Sequence, residues 1–482
     1  MPPVITTDVL VLGAGLAGMR AAWAALETGP HLDVTVASQW FGPSGSSFAN
    51  INDKLGMQVC LTHREREEFR KEAVTIAAPG FVDPGLLKIL AEESEPRFRE
   101  LEAVGFPFDR NPQGAYCRAD GCFSSGKPRA VIFTGLGVAF TKLRDRFLSL
   151  GGRFLEGWLI QDLVASNLQK PHRICGAVLQ KAVGDEKIAV RANAVIVALG
   201  GAAPLFIQNV GGPGTHGISH ALLKRVGVEL VNTPYLQFMW HTVPSRQFWP
   251  IQTCLSEGAR IRSLGGQVLP VPKELFKLAH ERSTHCPVGY GRKDTAVDRF
   301  FIENLNSNGE IDVSPPKKGW TTLALMAHAG NGGARIDGDG WTGISGLYAC
   351  GESAGGMHGA NRVGGAMVTG TQVFGARAGK AAAVYAAGDA PPPKKSFSKQ
   401  VSHIIHTQAE NKEERGEVIP WLRCGMQEFA ILGGRPGLEK FQEQIHRRLS
   451  GIRDWRSRLA LEAAATITEA ENRTPHPAPT PH

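Results

Sequence analysis

The most constraining feature of the sequence lies near its amino terminus. There the apolar run Asp8 to Leu12 opens directly into Gly13-Ala14-Gly15-Leu16-Ala17-Gly18, and then into the alanine-rich stretch Met19 to Glu27. The apolar run predicts a buried strand, and the alanine-rich stretch a helix stopped by Gly29 and Pro30. Strand, glycine turn and helix in this order let backbone amides and a helix amino terminus approach a pyrophosphate with no Cβ in the way. Asp33 to Ala37 predicts the next parallel strand. Dinucleotide-binding folds place a carboxylate for the ribose hydroxyls at the end of that strand, whereas this chain continues with Ser38-Gln39.

A chain of 482 residues with 42% hydrophobic and 20% charged positions is expected to bury a sizeable core spread over roughly three domains. No run approaches about 18 consecutive apolar residues, and Met1-Pro2-Pro3-Val4 lacks the basic and hydrophobic segments of a signal peptide, so a soluble, cytoplasmic protein is expected. The eight cysteines (Cys60, Cys117, Cys122, Cys175, Cys254, Cys286, Cys350 and Cys424) include no C-x-x-C, which leaves no spacing for zinc or an iron–sulfur cluster. No metal site is expected. The net charge of +8 is not gathered into a basic run, so nucleic acid is not an expected partner.

Residues 64–104 are helical in pattern, and Val131 to Leu148 reads as another helix. Trp158 to Ser166, Ile174 to Val183 and Ala194 to Leu199 read as strands, the last running into Gly200-Gly201. From about 235 to 330 the chain is rich in Trp, His, Arg and Pro without clear strand alternation, which suggests an inserted domain. Strand pattern returns at Gly346 to Ala349, ends in Cys350-Gly351-Glu352, and is followed by a helix from about Thr369 to Ala387. The division expected is therefore a dinucleotide-binding domain over 1–234 and 331–389, an insert over 235–330, and a helical domain over 396–470 broken at Gly433 to Gly437. Ala390 to Lys395 reads as a linker, and 474–482 as a disordered tail. Glu352, at the end of a late strand, is placed to meet a cofactor at the carboxyl edge of the sheet. The glycine-rich run after it indicates close backbone approach.

The motifs GAGLAG, ALGGA, EGAR, GRKD, HAGNGG, GLYACGE and HGANRVGG, in this order over about residues 8–380, resemble the flavoprotein subunits of fumarate reductase and succinate dehydrogenase. L-aspartate oxidase and adenylylsulfate reductase are relatives of that family. The resemblance implies an α/β protein: a Rossmann-like FAD-binding domain with an inserted capping domain and a carboxy-terminal helical domain. It also implies an FAD-dependent oxidoreductase acting on a C4 dicarboxylate, and it accounts for the missing acid, because Ser38-Gln39 resembles the Ser-Lys of succinate dehydrogenases at this strand end.

By the same resemblance, cofactor contacts are expected from the turn residues Gly13 to Gly18 (with Ala14, Gly15, Leu16 and Ala17), and from Ser38, Gln39, Ser46, Ser47, Gly200, His216, Glu352, Met367 and Val368. Substrate contacts are expected from His241, Ser256, His328 and Arg362. Arg292 in GRKD matches the arginine that transfers a proton, and Glu257 and Arg260 in SEGAR match a pair that resupplies it; at i, i+3 they would share a helix face. The chemistry agrees: a dicarboxylate needs cations at both ends, and hydride delivered to one carbon requires a proton at the other. An arginine, with a pKa above about 12, is a poor acid unless something reprotonates it.

The chain departs from the family pattern at several places. Members with covalent flavin carry a histidine where GSSFA has Ser46, and no histidine lies between His31 and His63, so noncovalent FAD is expected. Thr242 replaces a proline after His241, Thr215-His216-Gly217 lacks the family's aspartate, and Ala366-Met367-Val368 replaces Asn-Ser-Leu. The family's R-x-E-S-R-G segment is not intact in ENRTPHP, which leaves an iron–sulfur or other electron-transfer protein open as partner, with any membrane association only through it. L-aspartate oxidase is a competing reading; its R-E-G-G-H-S segment is loosely echoed by Arg118 to Ser124. An adenylylsulfate-reductase-like flavoprotein is another, and a non-enzymatic FAD-dependent scaffold would require a clustered basic face, which the sequence lacks.

Overall fold

The computed structural model describes residues 1–166, 173–212, 214–263, 265–388, 394–431 and 437–473. Its central sheet has the strand order Arg153–Glu156, Val34–Ser38, Val4–Leu12, Lys187–Val197, Ile174–Lys181, Trp158–Ala165, with Leu347–Ala349 also pairing to Lys187–Val197. Val4–Leu12 is parallel to both of its neighbours, so the two strands feeding glycine turns, Val4–Leu12 and Lys187–Val197, end side by side. The pair Trp158–Ala165 and Ile174–Lys181 forms an antiparallel extension. Val9 to Leu12 and Val195 to Val197 are fully buried, with the helices Leu16–Thr28 and Ala366–Gly388 packed on this part of the sheet.

Two helices fix the glycine turn. Leu16–Thr28 starts on Gly15 without a side-chain cap, and it packs lengthwise on the small-residue helix Ala366–Gly388. A Cβ at Gly379 would lie 2.1 Å from the Ala21 carbonyl and one at Gly375 2.8 Å from that of Ala17, so glycine lets the two backbones approach closely. Residues 64–104 are indeed helical, as His63–Ala77 and Pro84–Ala103, capped by Thr62 and Asp83.

Two expectations are corrected. Val131 to Leu148 is not one helix: Ala130–Thr134 is the middle strand of a three-stranded sheet, and Gly135, with φ of 75°, turns the chain into the helix Leu136–Ser149. Residues 235–330 do carry strands, a five-stranded antiparallel sheet ordered Leu236–Thr242, Thr321–Gly330, Glu310–Ser314, Arg260–Arg262, Val268–Pro270. The alternation is missing because the two longest strands, LQFMWHT and TTLALMAHAG, are covered on both faces.

The helical end comprises Lys394–Thr407, Lys412–Phe429, Leu438–Gly451 and Trp455–Arg473. The first packs on the antiparallel extension through Phe397, Val401 and Ile404, and it begins within the expected linker at Lys394. The rest of that linker, the segment 433–436 and the tail 474–482 lie outside the described residues.

A cofactor cleft ending in a cationic pocket

A cleft of about 390 Å³ opens over the glycine turn and reaches the inserted sheet. Gly13, Ala14, Gly15, Leu16 and Ala17 line one end with Ser38 and Gln39; Ser46, Ser47, Gly200, Glu352, Met367 and Val368 line the middle; His241, His328 and Arg362 line the other end.

The three glycines of the turn do different work. A Cβ at Gly13 would sit 2.2 Å from the Ala198 carbonyl oxygen, and one at Gly18 would sit 2.0 Å from that of Gly13, so both are glycine for packing. A Cβ at Gly15 would meet only Ser47 Oγ, at 3.4 Å. Room at Gly15 beside a helix amino terminus, whose Leu16 amide donates to Ser47 Oγ at 3.3 Å, is what a pyrophosphate needs. At the end of Val34–Ser38, Ser38 Oγ is taken up by the backbone of Trp40, which leaves Gln39. Its Oε1 is buried against the cleft without a partner among the described residues, as is Nδ2 of Asn50, which also lines the cleft. Gln39 suits the hydroxyls that the absent carboxylate would have held, and Asn50 offers a further unpartnered group along the cleft. The residues present thus fit a dinucleotide.

In the middle, Glu352 accepts the Gly330 amide at 2.8 Å and the Ser46 hydroxyl at 3.0 Å. Removal from water pushes its carboxyl up, partly offset by the Gly330 amide and Ser46. Gly18 and His216 are the two expected cofactor residues that do not line the cleft. His216 adopts φ of 52° beside Thr215 and lies near Arg423 of the helical end; burial and that guanidinium push it down to about 4.

The far end is cationic and dry. Arg362 is 5% exposed, and its Nε donates to Asn331 Oδ1 at 3.0 Å and its Nη2 to Gln237 Oε1. Neither partner carries a charge. Burial lowers the guanidinium to about 10, with Glu352 and Cys122 opposing the shift through space. His328 is pushed down to about 3 by burial, then by Arg362 and His241, and its Nδ1 has no partner among the described residues. His241 is lowered by burial as well; its Nδ1 donates to the Met239 carbonyl at 3.0 Å. Sequence patterns do not single out Gln237, Asn331 or Asn50. Asn331 stands in the HAGNGG motif, where a polar residue among glycines is the available signal.

The remaining expected residues are not gathered here. Ser256, Glu257 and Arg260 are exposed. Glu257 and Arg260 do not share a helix face: Gly258, with φ of 85°, turns the chain and Arg260 starts the strand Arg260–Arg262. Glu257 pairs with Lys273 at 3.3 Å and Arg260 lies over the Trp320 ring. Arg292 lies over the Phe123 ring with its Nε 3.4 Å from Asp294 Oδ1, and its side chain is 32% exposed. Asp294 is itself held by His285 Nε2 at 2.6 Å.

The profile of a family described as FAD binding domain matches residues 8–276 and 278–368 of this sequence. The chain belongs to the FAD binding domain family. It is 26% identical to a fumarate reductase (CoM/CoB) chain of Methanothermobacter marburgensis, over 95% of this chain and 83% of that protein. It is 27% identical to an L-aspartate oxidase of Caulobacter vibrioides, over 80% of this chain and 77% of that one. Its fold is similar to FrdA of the E. coli quinol fumarate reductase, with a TM-score of 0.75 at 18% identity, covering 97% of this chain and 89% of FrdA. The protein is an FAD-dependent oxidoreductase, similar in sequence to a fumarate reductase and an L-aspartate oxidase. No helix among the described residues is long and apolar enough to cross a membrane.

Proposed function

We propose that the protein exchanges hydride between FAD and a C4 dicarboxylate, in the manner of a fumarate reductase. The observation that carries this reading is Arg362: a buried cation in the cleft wall, hydrogen-bonded to two neutral amides. A buried charge without a bonded counter-ion is costly, and an anionic ligand relieves that cost. The guanidinium keeps donor positions free for a bidentate carboxylate, with His241 and His328 beside it. FAD, when bound, supplies the hydride acceptor or donor at the cofactor end of the same cleft.

In this reading the chain's own work is to hold and protonate. Arg362 and the two histidines fix the substrate, and their dry surroundings strengthen each charge-assisted bond. We assign the proton to Arg292, which stands outside the cleft lining over the Phe123 ring and must approach the substrate to protonate the carbon opposite the hydride. Its partial exposure lets solvent restore that proton, and the relay through Glu257 drops out, since that carboxylate is engaged by Lys273 at the surface. Electrons reach the flavin from a separate electron-transfer protein, an iron–sulfur protein being the expectation that the family resemblance carries. Near-equal identity to an L-aspartate oxidase keeps that reaction as the second reading.

Mixing reduced holoenzyme with fumarate, and oxidised holoenzyme with L-aspartate, separates the two. Rapid flavin reoxidation by fumarate is expected. Reduction by aspartate with no response to fumarate would overturn the dicarboxylate reading. Arg292→Gln is expected to bind succinate as the native protein does while reoxidation by fumarate slows by at least about 10²-fold, the lower range for loss of a general acid. Unslowed reoxidation would remove Arg292 from the mechanism.

A further inference from the structure

Cys122 and Cys286 are separated by 164 residues, yet the Cys286 amide donates to Cys122 Sγ at 3.2 Å. Sequence spacing does not reveal this pair. One cysteine follows the strand Arg118–Ala119 on the FAD-binding side, and the other lies in the insert between the helices Ala279–Arg282 and Thr295–Glu303.

Both backbones are fixed where they meet. The Cys122 carbonyl accepts the Gly364 amide at 3.0 Å, and the Phe123 amide reaches the Thr284 carbonyl at 3.2 Å. The Phe123 ring stacks on His285 with centroids 4.2 Å apart. On the other side, Arg282 donates to the carbonyls of His285 at 2.6 Å and Cys286 at 3.2 Å, and is itself anchored to Asp298. The approach of the Cys286 backbone to Cys122 Sγ is therefore built into the packing. Both residues are half-buried.

We propose that Cys122 and Cys286 form a reversible thiol–disulfide site, whose oxidised form ties the FAD-binding part of the chain to the inserted sheet module and whose reactant is a low-molecular-weight disulfide. Cys122 is the attacking group. The hydrogen bond from Cys286 stabilises its thiolate most, against the opposing effect of burial, with the Cys286 amide, Arg362 and Arg282 adding to it. Cys286 is shifted up by the same contact and by burial, so it stays a thiol and serves as the resolving group. The Cys122 thiolate attacks one sulfur of the small disulfide, forming a mixed disulfide and expelling one thiolate. That thiolate takes the Cys286 proton. The Cys286 sulfur then attacks Cys122 Sγ and expels the second thiolate, so two protein thiols are oxidised and one small disulfide is reduced to two thiols.

Glutathione disulfide added to the full-length FAD-loaded protein tests this, with alkylation and peptide mass spectrometry as readout. The expected result is a Cys122–Cys286 cross-linked peptide, the loss of two alkylatable cysteines beyond any at exposed Cys424, full reversal by dithiothreitol, and an unchanged flavin spectrum. In Cys286→Ser the resolving step is lost and a glutathione adduct should accumulate on Cys122. In Cys122→Ser, Cys286 should be modified at least about tenfold more slowly than Cys122 in its counterpart. No cross-linked peptide in the folded native protein, or one that forms only after denaturation, would overturn the proposal. So would faster modification of Cys286 than of Cys122. The readout contains no turnover, so the outcome does not depend on the identity of the substrate.

Discussion

His241 Nδ1 is committed to the Met239 carbonyl, which can only accept, so Nδ1 carries the hydrogen. The neutral ring then offers a lone pair at Nε2, which repels a carboxylate. Burial keeps His241 low and puts His328 at about 3, so both are neutral near pH 7 in the free protein. A bound dicarboxylate favours the charged forms and raises these values. Between the free and bound values, binding takes up protons, so affinity rises as pH falls through the bound value and levels off below the free one. The limit is about tenfold per pH unit for each proton taken up. Calorimetric titration with succinate near pH 6 in buffers of different ionisation enthalpy should show uptake of close to one proton; no uptake would mean that His241 does not hold the carboxylate. Arg362→Lys keeps the charge but loses the planar fork and the bonds to Asn331 and Gln237, and kcat/KM for dicarboxylates should fall by roughly 10²-fold. Unchanged kinetics would make Arg362 structural. Arg362 can be named from sequence because it sits in a dense motif. Its amide partners come from two other elements, and nothing in their local pattern marks Gln237.

The glycine turn is legible because strand period, glycine spacing and helix composition all agree there, and the element forms from local rules. Its three glycines still behave differently on substitution. Gly15→Val places bulk only in open space near Ser47 Oγ, so the chain should fold with an unchanged circular dichroism spectrum and purify without FAD. Gly18→Val drives a side chain into the Gly13 carbonyl and should lower the yield of folded protein as well. Full flavin content in Gly15→Val would place the pyrophosphate elsewhere. Where local rules conflict, sequence pattern misleads. Val131 to Leu148 carries enough helix formers to mask the strand Ala130–Thr134, which is decided by its pairing with Lys54–Gln58 on a distant part of the chain. For Ser256 to Arg260 the only signal is a motif, and the positive φ of Gly258 sends the chain into a strand instead of a helix.

At the scale of the whole molecule, the way FAD is held depends on which nucleophiles three separate parts of the chain bring to one cleft. The segment Gly45–Phe48, where covalent relatives carry histidine, presents Ser46, and its hydroxyl is engaged by Glu352, which follows the strand Leu347–Ala349. Among the described cleft residues, the histidines and cysteine are Cys350, His241 and His328. Cys350 lies on the sheet edge with burial pushing its thiol up to about 12, so it remains protonated and a poor nucleophile. His241 and His328 come from the inserted sheet and stand at the Arg362 end, where the proposed reaction requires them for the substrate. Among the described residues, then, no histidine and no reactive cysteine stands along the flavin's own stretch of cleft. The purified protein should be yellow, and acid precipitation should release the colour into the supernatant and leave a white pellet. A yellow pellet that survives denaturation and fluoresces on a gel would show a covalent bond, and peptide mapping would then direct attention to Cys350 or to one of the two histidines.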